Sequence, residues 1–102
     1  MNLLEKVKMT CRVTTDTYNE ELTDLIQAAL DDLGIVDIKA EKLVNENPDP
    51  LIMRAIQTFC KMNFGYVTLS NDQYARLKAS YDEQKSQLLM SSNYTDWGDL
   101  DA

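Results

Sequence analysis

The chain has 102 residues, 44% of them hydrophobic and 26% charged, and a formal net charge of −7. That length fits one domain with a modest core and leaves no room for a large enclosed substrate cavity, and the composition is globular rather than disordered. The acidic balance repels a phosphate backbone, which excludes an electrostatic nucleic-acid binder, and it opposes self-association except through a specific interface.

The first element spans residues 3–12. Asn2 stands as its cap with Glu5 three residues later. Leu3, Leu4, Val7 and Cys11 form one narrow apolar face, so this short helix must be held by packing rather than propensity. Lys6, Lys8 and Arg12 lie near one another and read as a solvated face.

The second helix spans residues 18–33. Thr17-x-x-Glu20 reads as a capping box, and Glu20 and Glu21 suit the positive end of the helix dipole. Tyr18, Leu22, Leu25, Ile26, Ala29 and Leu33 recur at helical steps. Gly34 stands where a left-handed C-cap belongs, with Ile35 placed to pack back. Asp31 and Asp32 oppose the dipole in the last turn, at about 0.3–1 kcal/mol each when exposed. Either solvent absorbs this or a Lys or Arg of another subunit meets them.

Residues 35–48 form a long connection in which residues 39–45 can add a helical turn. The third helix, residues 50–64, opens with Asp49 as cap and Pro50 as first helical residue. Leu51, Ile52, Ala55, Ile56, Phe59, Cys60 and Phe64 make it the most hydrophobic element and the expected centre of the core. Gly65 ends it. The fourth, residues 71–89, starts at a Ser70-x-x-Gln73 capping box. Its face of Tyr74, Leu77, Tyr81, Gln84 and Leu88 is narrower and more aromatic, as in a marginal core contact or an interface stripe.

Residues 90–102 carry Ser91, Ser92, Asn93, Gly98 and three aspartates, yet also Tyr94, Trp97 and Leu100. Such a segment either orders on a partner or folds back on its own bundle. With no strand pattern and no repeat, the expected fold is all-α. It is a small four-helix bundle domain over residues 1–89, with an extended, flexible C-terminal tail over residues 90–102.

Chemistry is sparse. There is no histidine and there are only three glycines, and no nucleophile elbow, P-loop or dinucleotide fingerprint is present. Asp31, Asp32 and Asp37 around Gly34 do not match an EF-hand loop. No catalytic, cofactor or metal site is expected. Cys11 and Cys60 sit on apolar stripes and read as buried thiols of a reducing compartment. No apolar run reaches the roughly 20 residues that cross a bilayer. The first residues lack a signal-peptide apolar region, so the chain is expected to be made and kept in a cytoplasm.

Three stretches, LLEKVKMTCRVTTDTYNEELTDLIQAALDDLGI, NPDPLIMRAIQTFCKMNFGY and YARLKASYDEQKSQLLMSSNY, carry a resemblance. Their order is a short helix, a Thr-x-Asp turn, a long amphipathic helix ending near Gly, and an Asp49-Pro50-Leu51 helix start. Asn63-Phe64-Gly65-Tyr66 and a Leu-rich helix running to Tyr94 then follow. In this the chain resembles the phage head–tail connector (adaptor, or head-completion) family. The resemblance implies a structural virion protein with no enzymatic activity and no cofactor. Its copies would assemble as a dodecameric ring beneath the portal of a filled capsid, extending the DNA channel. The ring would then meet a head-closure (stopper) or tail-completion protein. DNA would pass through the lumen without specific binding, eased by negative charge, and no membrane is involved. Location follows as the head–tail interface of the virion, after assembly in the bacterial host cytoplasm.

By the same resemblance the C-terminal segment engages the portal through Tyr94, Trp97 and Leu100, with Leu88 and Tyr81 nearby. Asp31, Asp32 and Tyr74 are the expected subunit-interface residues. The alternative is a small helical adaptor or regulatory protein that binds one partner through the aromatic stripe or the tail.

Overall fold

The computed structural model describes residues 2–35, 38–65 and 69–90, the last two by backbone alone. The elements are α1 (Leu3–Thr10), α2 (Asn19–Asp32), α3 (Ala40–Leu43), α4 (Pro50–Asn63) and α5 (Asn71–Met90). No strand occurs among the described residues. The all-α reading therefore holds, and the expected four helices are joined by one single-turn helix, α3.

α4 begins as its sequence dictates. Asp49 Oδ1 accepts from the Leu51 N–H at 2.9 Å, and Pro50 fills the first turn, where a missing N–H costs nothing. Ile52, Met53, Ala55, Ile56 and Cys60 are buried, and α1, α2 and α5 all pack on this helix. Leu51, expected in the stripe, is 37% exposed because it stands on the uncovered side of the first turn. Met53 and Leu30 are buried instead, which widens the core beyond the periodic positions.

α1 has the expected reciprocal cap: Glu5 N–H donates to Asn2 Oδ1 at 2.9 Å and Asn2 N–H to Glu5 Oε1 at 3.2 Å. The N–H groups of Leu3 and Leu4 would otherwise lack acceptors. They donate to the Glu46 and Val44 carbonyls at 2.8 and 3.1 Å, which ties α1 to the chain just before α4. α1 ends earlier than expected. Arg12 adopts φ 57°, and the turn closes with Arg12 N–H on the Met9 carbonyl and Val13 N–H on the Lys8 carbonyl. This is the paired-bond geometry that glycine usually supplies.

The Thr17–Glu20 capping box does not form. Tyr18 is the N-cap of α2 and makes no side-chain cap bond. Thr17 N–H donates instead to Thr15 Oγ1 at 2.9 Å, while Asp16 reaches Lys8 at 2.6 Å. The local hydroxyl turn and that ion pair outcompete the box. The other end is as expected. Gly34 has φ 79°, its N–H donates to the Asp31 carbonyl, and Ile35 N–H donates to the Leu30 carbonyl. Ile35 and Leu30 are both buried. α3 takes its first cap from afar: Ala40 N–H donates to Gln27 Oε1 of α2 at 3.0 Å. The Ser70–Gln73 box opens α5 in both directions, at 2.9 and 3.1 Å.

Two left-handed turns give opposite expectations in urea unfolding. A Cβ at Gly34 would meet nothing within 4 Å. Gly34→Ala should therefore cost only the backbone strain, about 1 kcal/mol. Arg12→Gly should relieve that strain and stabilise the chain by about 0.5–1 kcal/mol; an unchanged midpoint would contradict the strain at Arg12.

Candidate functional site

α5 lies on the body through its second half. Tyr81 and Leu88 are 4% and 2% exposed, whereas Tyr74 is 41% exposed and nearly every residue from 71 to 80 faces solvent. Tyr81 packs against Phe59 of α4, with ring centroids 5.6 Å apart. Its hydroxyl donates to Asp32 Oδ2 at the end of α2, and Lys85 Nζ stands 3.4 Å from the same oxygen. One carboxylate thus joins α2 to α5. On the same inward face, Gln84 Oε1 is buried without a partner among the described residues, which limits the grip of α5.

Electrostatics follow from this geometry. The hydrogen bond from Tyr81, aided by Lys85, holds the Asp32 carboxyl below its ordinary range. Burial, and then that same bond, pushes the Tyr81 phenol well above its ordinary range. Cys11 and Cys60 are free and buried. Burial raises the Cys11 thiol to about 11 and the Cys60 thiol higher still, so neither offers a thiolate at neutral pH. No group of three or more metal-ligating side chains stands together among the described residues. No helix among them is long and apolar enough to cross a membrane.

The expected site residues therefore scatter. Asp32 and Tyr81 meet each other. Tyr81 and Leu88, expected beside a portal contact, lie in the chain's own core. Within the chain Asp32 meets Lys85, and Asp31 accepts from Gln27 at 3.1 Å. Tyr74 stays open to solvent. Tyr94, Trp97 and Leu100 lie outside the described residues. Two features escaped sequence reading. Lys85 was the available signal for the clasp, one turn after Tyr81 on the same face of α5. The other is the outward face of α2, where Glu20, Asp24 and Asp31 are all exposed. Among the described residues, the surface presents helix faces, carboxylates and cations.

A family model described as phage connector protein matches residues 3–95. No curated protein and no solved structure matches the chain.

The clasp makes a pH-dependent prediction. Asp32's lowered value means that its contribution is present above the ordinary carboxyl value of 3.8 and is lost as pH falls through the folded value. Tyr81→Phe should cost about 1–2 kcal/mol at pH 7 in urea unfolding, discounted for the solvent around Asp32. The deficit should narrow as Asp32 protonates in acid. A deficit that stays constant down to that range would assign the loss to packing rather than to the clasp.

Proposed function

This chain belongs to the phage connector protein family, whose model spans residues 3–95, and on that premise we propose that its copies form a ring under the capsid portal. The ring extends the DNA channel and joins head to tail. The family match carries this reading, because the family's role is structural rather than catalytic.

Physical features support it. The body measures 37 × 29 × 20 Å, and no polar or charged residue is buried among those described. A core of that kind offers DNA no wetted passage, so in this reading the channel forms between copies. The net charge of −7 keeps a phosphate backbone from adhering as it passes. The portal above and a head-closure or tail-completion protein below are the proposed partners. Tyr94, Trp97 and Leu100 are the proposed portal anchors, since large apolar groups in an acidic tail are suited to burial against a partner. The proposed location is the virion's head–tail interface.

Mixing the purified protein with its cognate portal and imaging the particles tests the proposal. Added ring density under the portal is expected; portals that stay bare under assembly conditions would overturn it. A chain truncated after Leu89 should keep its full helical circular dichroism yet lose portal attachment. If helical signal falls instead, the tail is part of the chain's own fold.

A further inference from the structure

Charge is not mixed evenly over this molecule. α2 carries Glu20, Glu21, Asp24, Asp31 and Asp32 and no cation. α4 carries Arg54 and Lys61 and no carboxylate. α1 and its closing turn add Lys6, Lys8 and Arg12 against Glu5 alone. Two of these charges are used inside the chain, Lys8 by Asp16 and Asp32 by Lys85.

The remainder form two separate patches. Glu20, Asp24 and Asp31 fall on the side of α2 opposite Leu22, Ile26 and Ala29, with the exposed small residue Ala28 beside them. Glu20, Glu21 and Asp24 make no ion pair among the described residues. Like charges four residues apart, and a carboxylate at the C-terminal end, each weaken the helix that bears them.

The second patch surrounds the end of α1. Met9, on the side of α1 opposite Leu3 and Val7, is 61% exposed, the most exposed large hydrophobic residue described. Arg12 is exposed, and its guanidinium has no partner among the described residues. Gln57 Nε2 reaches Thr10 Oγ1 at 2.9 Å, so Lys61, one turn further along α4, comes beside Cys11. Arg12 is held at φ 57°, a conformation glycine would adopt without strain. A cation is thus kept at a position where glycine would make a more stable monomer.

We infer that the end of α1, through Met9, Arg12 and Lys61, seats on the outward face of α2 of a second copy, against Glu20, Asp24 and Asp31. The inference rests on the ring reading above and names its subunit contact. Two different patches of opposite charge make a head-to-tail contact, which propagates in one direction and closes as a ring rather than as a two-fold dimer. Ala28 leaves a flat place for Met9. Because the net charge is −7, copies repel on average, and an orientation that sets these opposite patches together is favoured over a random one.

Charge reversal on full-length protein mixed with portal tests this. Arg12→Glu and Asp24→Arg should each lower ring occupancy about tenfold or more at low salt. Both residues are exposed, so helical circular dichroism should be unchanged. The double variant Arg12→Glu/Asp24→Arg should recover most of the occupancy, and so should an equal mixture of the two single variants, whose unlike copies match. Wild-type protein that leaves portals bare would defeat the ring reading itself. Wild-type rings with either reversal decorating equally well, or with no recovery in both the double variant and the mixture, would overturn this contact alone.

Discussion

Everything in this molecule is arranged around the need to cover α4. Ile52, Ala55, Ile56 and Cys60 are fully or almost fully withdrawn from water and lie on a stripe too wide for one neighbour. α1, α2 and α5 each take a share of it. The burden on α1 is plain. It has eight residues, below the roughly 12–15 at which an isolated helix becomes even marginal in water. It exists because Leu3 and Val7 are buried and because the chain at Val44 and Glu46 accepts its first N–H groups. The apolar interior that results holds no polar or charged residue among those described. The charged residues among those described are therefore left at or near the surface.

α5 departs from this pattern. Its buried residues, Tyr81 and Leu88, lie in the second half, and the link to α2 is polar: Tyr81 and Lys85 converge on Asp32. Asp32 sits where a carboxylate is opposed by its own helix dipole, so the phenol and the ammonium relieve a conflict that α2 cannot relieve alone. Its neighbour Asp31 is left to Gln27, which at the same time caps α3. The end of α2 is thereby bonded to both α3 and α5, while the outward face of α2 stays acidic.

The helix caps were legible because they depend on residues within a few positions of one another. Asn2 with Glu5, Asp49 with Pro50, Ser70 with Gln73 and the glycine at 34 all acted as local chemistry requires. The Thr17–Glu20 signal failed because Thr15 offered a closer hydroxyl and Lys8, eight residues away from Asp16, drew the turn into another shape. The strain at Arg12 had no sequence marker, since glycine or asparagine is the usual sign of a left-handed cap. Core membership was legible at most periodic positions of α1, α2 and α4, but not at Leu51, which is exposed, nor at Leu30 or Met53, which depend on how far a neighbouring helix overlaps. The Asp32 clasp joins residues 49 and 53 positions apart, and only tertiary structure brings them together. The family was legible from the order of the motifs. The tail anchors rest on the resemblance, and the charged faces of α1 and α2 needed the helices set in place before opposite signs could be seen on separate patches.

A small body with a dry core and segregated surface charge is suited to repetition. In the proposed ring each copy would present one acidic face and one basic end, with the portal as the template on which copies close. The mass of the portal particle before and after saturation with this protein, read by mass photometry, tests that claim most directly. The expected increment is one 11.7 kDa chain per portal subunit, unchanged by further excess. No increment, or one that grows without limit as an open filament would, contradicts a closed ring.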